Sequence, residues 1–408
     1  MAAARPSPRA TATLFGLAAL LLFGWQLGVP SAMVFDESWY VPAARSLLAL
    51  NGPTNIEHPL FAKSLIAAGI ALFGDNAIGW RASSVLAGAL TVAGVWRLTW
   101  VLFGRARVAS HAALFAMING MLFVHARLGM LDAWMGALLV WGLAVLIGAG
   151  RVERPWWRVA LAGLLFGLAI GAKWSAAPIV AIAGATMIML RLHNRAAFGG
   201  ANPVVLARLL GGVAVIAYLA TFAPGFFYAR DPLTLATLIP FQFEMLTTQA
   251  NPLAPHAYQS EWWQWPLALR PIWYFYEVAD GAQRGILLVG NPAILWGGLI
   301  GVAACLWAGI RERDPMLVLA GGLWLASYLP WALIPKSPAF FYHYHPAALL
   351  LCPALAAALH LKGLPRWSAP AFAALAIVLF ARFYPIIAAM ALPDSGAFQR
   401  WIWFDSWR

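Results

Sequence analysis

Apolar runs of about 20 residues recur along the chain between short polar breaks, each long enough to cross a bilayer as a helix. They centre near Leu20, Ala89, Phe115, Val140, Gly163, Ile182, Val215, Leu299, Leu323, Leu350 and Leu375. The pattern predicts an all-α polytopic membrane protein with about eleven transmembrane helices. Two stretches depart from it. Ser38–Leu50 and Pro59–Phe73 look amphipathic and predict helices lying along the membrane interface. The first run follows Arg5 and Arg9 and lacks a clear small-residue cleavage site, so a retained helix is expected rather than a signal peptide.

Composition narrows the class. The 408 residues are 62% hydrophobic and 10% charged, with a mean hydropathy of +0.74. Soluble domains carry roughly 25% charged residues, so the polar surface needed in water is missing. A chain this apolar is not disordered either. The net charge of +12 comes without any basic block to track a phosphate backbone, and nucleic acid is not an expected partner. Cys305 and Cys352 both lie in apolar runs, which argues against a disulfide framework.

With the N-terminus in the cytoplasm and alternating spans, the inner segments hold 14 of the 27 basic residues and three of the 15 acidic ones. That places +11 inside against +1 on the other side, as the positive-inside rule requires. The C-terminus then lies outside. Two outer segments are long, Pro30–Gly79 and Gly225–Arg284. They divide the chain into an N-terminal module (1–225) carrying the first outer loop (30–79), an aromatic-rich outer loop (226–284), and a four-helix-type C-terminal module (285–408) with a short outer tail. The second loop reads EWWQWPLALRPIWYFYE from Glu261 to Glu277. On composition, most of its tryptophans fit an aromatic belt at headgroup depth. No internal repeat is visible, which counts against inverted-repeat transporters.

Acids are scarce, so each outer one is informative. Asp36 and Glu37 sit side by side between the first span and an amphipathic helix, where charge is costly unless used. A carboxylate there can act as a general base on a hydroxyl. His58 and Lys63 follow in HPLFAK, Arg81 opens the next span, and Arg127 and Asp132 bracket a short outer turn. Lys173 ends another span and Arg270 lies in the aromatic loop. Taken singly, each cation is equally well a snorkelling anchor. Together they form a cationic ring around a few carboxylates, suited to a lipid-phosphate leaving group.

The chain resembles the polyprenyl- or dolichyl-phosphate-mannose protein O-mannosyltransferases, membrane enzymes of the GT-C glycosyltransferase class. The resemblance runs through Asp36-Glu37, HPLFAK at His58–Lys63, WRASSVLAG from Trp80, ARLGMLDAW at Ala126–Trp134 and GLAIGAKWS at Gly167–Ser175. It continues through YQSEWWQWPLALRPIWYFYE at Tyr258–Glu277, GNP at Gly290–Pro292, and FFYHYHPAALL at Phe340–Leu350. The tryptophan-rich loop followed by GNP is its most specific part. Pro59, Leu60 and Ala62 depart from a pattern of two prolines and a glycine, and His345 stands where leucine is common. The large β-trefoil insertion of eukaryotic members is absent from the Gly225–Arg284 loop, as in the compact bacterial form.

The resemblance implies inverting transfer of mannose from a polyprenyl phosphate to a serine or threonine hydroxyl of a translocated protein, outside a bacterial inner membrane. Asp36 would be the base and Glu37 would orient the acceptor or the interfacial helix. His58, Lys63, Arg81, Arg127, Lys173 and Arg270 would hold the phosphate or shape the site. Asp132, expected to pair with Arg127, would support it together with Tyr342 and His343. Partners would be the lipid-linked donor, membrane lipid, the acceptor protein and the translocon. Beyond the lipid-linked donor no cofactor is expected. A divalent metal is suggested only by His343 and His345, which diverge at i, i+2, so none is expected. Two other classes compete. One is a related transferase moving a lipid-linked sugar onto a lipid or glycan. The other is a transporter or flippase, for which Arg97 and Arg382 would be the mid-span charges.

Overall fold

The computed structural model describes residues 7–251, 254–334 and 336–408; Arg5, counted above among the inner charges, lies outside them. Every one of the eleven apolar centres falls within a helix. These helices are α1 (Pro8–Gly24), α4 (Ala77–Phe103), α5 (Ala106–Met117), α7 (Leu131–Ala149), α8 (Trp156–Ala172), α9 (Ala177–His193), α10 (Pro203–Ala220), α12 (Pro292–Glu312), α13 (Pro315–Tyr328), α14 (His345–Ala358) and α15 (Ser368–Ile387). The amphipathic stretches of the first outer loop form α2 (Glu37–Leu48) and α3 (Phe61–Phe73). Two further helices are α6 (Gly120–Ala126) and α11 (Leu238–Ala250).

Length and apolarity together qualify seven of the described helices to cross a membrane. An eighth results if α5 and α6, meeting at 61°, count as one broken span. The remaining members of the eleven are shorter: α1 and α8 have 17 residues and α14 has 14. About eleven spans is therefore more than this criterion supports.

Close packing follows from small residues. Gly163, Gly167 and Gly171 recur every fourth position on α8 and meet α10. A methyl group built on Gly167 would stand 2.2 Å from the Ala214 carbonyl oxygen, and one on Gly163 2.7 Å from that of Leu210. Backbones approach this closely only where side chains are absent, the small-residue packing used between membrane helices. Asn291 of the GNP motif donates to the carbonyls of Ile118, at the α5–α6 break, and Ala376 on α15, at 3.3 and 2.8 Å. The motif thus ties three helices together around a buried break.

Among the described residues the fold is helical apart from one hairpin that the hydropathy pattern did not suggest. Strands β1 (Ile272–Ala279) and β2 (Ala282–Leu288) pair antiparallel across Asp280-Gly281, straddling the boundary placed at 284–285. Both turn residues have positive φ, 49° and 73°, the backbone a two-residue hairpin turn needs. Trp265 is fully buried, stacked on His343 with ring centroids 5.7 Å apart, and Trp273 packs against Tyr276 and Phe398. These two tryptophans are packing residues of the loop rather than members of an exposed belt, whereas Trp263 is half exposed.

The polar ends of the bundle segregate. Arg105, Glu312, Asp314, Met316 and Lys362, from turns assigned to the inner side, line one cleft. Arg151 reaches the carbonyls of Val101 and Leu102 beside it. The first outer loop, the Arg127–Asp132 turn, Lys173, the hairpin and the 336–343 segment meet elsewhere, around Asp36.

Candidate active site

Asp36 and Glu37 are adjacent in sequence but opposite in environment. Glu37 is completely buried. It accepts the Nε and Nη2 protons of Arg81 at 2.8 Å each, the Val34 amide at 2.9 Å and the Gly129 amide at 2.7 Å. Four charge-assisted bonds hold this carboxylate, and it ties the start of α2 to α4 and to the turn before α7. Arg81 spends its remaining protons on the carbonyls of Leu27, Pro30 and Ala32 at 2.7–3.1 Å. All five N–H donors of its guanidinium are therefore engaged. That corrects the expectation that Arg81 contacts a lipid phosphate: it has no donor left to offer, and its work is to shape the loop that presents Asp36.

Asp36 itself is partly exposed. It occupies the position preceding α2 but makes no side-chain cap bond. Its Oδ2 instead accepts the Tyr40 hydroxyl at 3.2 Å, and Tyr40 also lies 3.4 Å from His58 Nε2. Desolvation raises its pKa to about 6 against the attraction of Lys173, with Asp132 and Glu57 raising it further and the Tyr40 bond lowering it. A carboxylate poised there is largely ionised at neutral pH yet basic enough to take a hydroxyl proton. His58 is pushed well below its usual range, first by burial and then by Lys173 and Lys63, and stands neutral. Its Nδ1 lies 3.3 Å from Gln249, and its side chain opens onto a cleft of about 510 Å³ between the 53–60 loop and the 228–244 segment.

The expected cationic ring separates into two groups. Lys63 is buried and donates to the carbonyls of Asn55, His58 and Thr54 at 2.8, 2.7 and 3.5 Å, so it folds the loop carrying His58 and has no proton free for a phosphate. Arg127 donates to the carbonyls of Phe23, Trp25 and Gln26 and closes the end of α1. The expected Arg127–Asp132 pair is not formed. Asp132 instead binds Lys173 at 2.7 Å, because the extended backbone at Lys173, where α8 ends, aims the ammonium at the start of α7. Lys173 also lies 4.7 Å from the ring centre of Tyr342, and its charge reaches Asp36. Arg270 holds the Ala257 carbonyl through Nε and Nη2, at 3.1 and 2.5 Å, and is only partly buried.

Sequence inspection missed several members. Lys336, partly exposed, donates to the Gln249 carbonyl at 3.1 Å, its one partner among the described residues. Burial and the Lys173 charge lower its pKa. Only its position in an outer segment beside FFYHYH marked it. Tyr40 and Gln249 carry no motif at all. His343 and His345 do diverge: His343 meets the Phe340 backbone at 3.0 Å, while His345 Nδ1 lies 3.0 Å from His125 Nδ1. The mid-span charges weighed for a transporter lie apart. Arg97 is exposed, and Arg382 reaches the Arg400 carbonyl near the end of α15.

A bundle of apolar helices with a partly exposed outer-loop carboxylate at Asp36, the buried Glu37–Arg81 ion pair beside it and Lys173 acting on it has the features of a membrane glycosyltransferase of the GT-C type. Residues 57–220 match the family model described as dolichyl-phosphate-mannose-protein mannosyltransferase, and 234–407 match that of the C-terminal four-transmembrane region of protein O-mannosyltransferase. The chain belongs to the protein O-mannosyltransferase family. It is 28% identical to the polyprenol-phosphate-mannose–protein mannosyltransferase of Mycolicibacterium smegmatis, over 98% of this chain and 92% of that one. With the Mycobacterium tuberculosis protein of the same name it shares 29%, over 92% and 86%. Its fold matches a chain of the S. cerevisiae Pmt1–Pmt2 complex bound to the sugar donor with a TM-score of 0.83 at 13% identity, covering 99% of this chain and 93% of that one. ArnT from Cupriavidus metallidurans bound to undecaprenyl phosphate gives 0.59 at 18%, over 94% and 66%.

Proposed function

We propose that this enzyme transfers mannose from polyprenyl-phosphate-mannose to serine or threonine hydroxyls of translocated proteins, with inversion, on the outer face of a bacterial inner membrane. The observation that carries the proposal is Asp36: a partly exposed carboxylate, raised in pKa to about 6, held without a cap bond and within reach of the Lys173 charge. Asp36 takes the acceptor hydroxyl proton as the oxygen forms its bond to mannose C1. The bond from C1 to the phosphate oxygen breaks on the opposite face, so the anomeric configuration inverts. Lys173, Lys336 and Arg270 are the cations with protons still to offer the departing phosphate. The curated mycobacterial relatives are named for this donor and acceptor class. The cleft that His58 lines has Asp231 and Glu244 and no lysine or arginine among its described lining, which suits a polypeptide better than an anionic lipid head.

The outward orientation rests on the +11 to +1 charge asymmetry and on the inner turns gathering at a cleft that none of the Asp36 neighbours lines. The test is transfer by the purified enzyme from polyprenyl-phosphate-mannose to a Ser/Thr peptide, with mass spectrometry of secreted proteins from cells with and without the gene. Hexose-bearing peptide, and its loss from secreted proteins in the deletion strain, are expected. Unchanged glycoproteins beside an altered envelope lipid would assign a lipid or glycan acceptor instead.

A further inference from the structure

The hairpin touches the first outer loop at two points, both just ahead of Asp36. At its tip, the Asp280 carboxylate accepts the Ser31 amide at 3.0 Å and the Ser31 hydroxyl at 2.5 Å. Midway along β1, the Tyr274 ring lies flat on the Phe35 ring, with centroids 4.2 Å apart and planes 9° from parallel. Phe35 immediately precedes Asp36 and sits at φ +50°, a left-handed conformation that a bulky residue adopts only when its surroundings impose it. Tyr274 falls at a break in strand register between Trp273 and Phe275, so a bulge turns its ring out of the ladder and toward the loop. Bulges re-aim side chains in this way beside active sites.

The other end of Tyr274 is fixed from below. Its hydroxyl lies 2.9 Å from His125 Nε2, and His125 Nδ1 lies 3.0 Å from His345 Nδ1, with both imidazoles completely buried. The hairpin, α6 and α14 thus converge on one aromatic ring, and that ring rests on the residue before Asp36. We propose that Tyr274 is a positioning residue for Asp36: it holds Phe35 in its left-handed turn by stacking, and the His125–His345 pair sets the depth and tilt of the ring. The proposal rests on Asp36 being the base; its direct readout, the rigidity of the 33–40 loop, does not.

Two variants of the full-length enzyme test it. Tyr274→Ala removes the stack and the hydroxyl; Tyr274→Phe keeps the ring and loses only its anchor. Misplacing a reacting group by about 1 Å costs about 10²-fold. Tyr274→Ala should therefore lower kcat by that order with the donor KM little changed, and Tyr274→Phe should recover most of the loss. Amide exchange in the 33–40 segment should be faster in Tyr274→Ala than in wild type, and intermediate in Tyr274→Phe. Exchange in that segment identical in all three proteins would overturn the proposal, whatever sugar or acceptor the enzyme uses. So would faster exchange accompanied by a raised donor KM at unchanged kcat. Wild-type enzyme inactive toward polyprenyl-phosphate-mannose would count against the proposed function, and the exchange arm would still decide the role of Tyr274.

Discussion

Glu37 presents both carboxylate oxygens to the Arg81 guanidinium at 2.8 Å, and solvent reaches neither side chain. Removing one member of such a pair strands the other charge in the interior, at a cost of roughly 3–5 kcal/mol. Arg81→Ala and Glu37→Gln should both lower the thermal midpoint and the yield of folded protein, whereas the folded fraction should keep its donor KM. A raised donor KM at unchanged stability would make Arg81 a phosphate ligand after all.

Lys63 and Lys336 should separate in the same way. Lys63 gives its protons to three carbonyls of the 54–58 loop, while Lys336 has a single described partner. A charge-assisted hydrogen bond is worth about 1.5–3 kcal/mol, or about 10- to 100-fold in affinity. Lys336→Ala should raise the donor KM by that order with stability nearly unchanged. Lys63→Ala should destabilise the protein. The reverse pattern in a titration of polyprenyl-phosphate-mannose would exchange their roles.

How much of this was legible beforehand depends on how local each signal is. Helix positions, α2 and α3, and the Asp36-Glu37 pair are written in short windows of sequence. The hairpin was legible as well: Asp280-Gly281 between two β-rich runs is a strong two-residue turn signal. The aromatics of its first strand match an interfacial belt equally well, so composition alone does not separate the two. Partner choice is another matter. Asp132 is five residues from Arg127 yet pairs with Lys173, 41 positions away, and His125 meets His345 across 220. A list of outer cations does not show which have spent their protons on carbonyls, and this separates Arg81, Lys63 and Arg127 from Lys336.

The orientation is checked by reporter fusions. The inner excess of positive charge predicts that a fusion at Arg313 reports cytoplasm and one at Arg408 reports the outside. Both appearing on one side would remove the proposed outer active face and leave the site's geometry without its membrane address.

The last prediction concerns Asp36, and it separates catalysis from helix capping. As a cap, Asp36 would be replaceable by Asn at little cost. The structure shows no such bond, only the Tyr40 hydroxyl at 3.2 Å. As a base, Asp36→Asn should lose about 10²–10⁴-fold in transfer while donor affinity survives. In the wild type, kcat/KM should fall as pH drops through about 6, where the carboxylate takes up its proton. His58, held well below its usual range, does not titrate there, and that limb should vanish from the residual activity of the variant. Stability should move the other way. A carboxyl whose pKa is raised on folding binds more protons native than unfolded between its ordinary 3.8 and about 6, so its ionisation weakens the fold as pH rises through that window. Asp36→Asn removes this contribution and should leave the thermal midpoint at pH 7 equal to wild type or higher. A folded Asp36→Asn enzyme with near-normal mannosyl transfer, or one that retains the acid limb near pH 6, would end the assignment of Asp36 as the base.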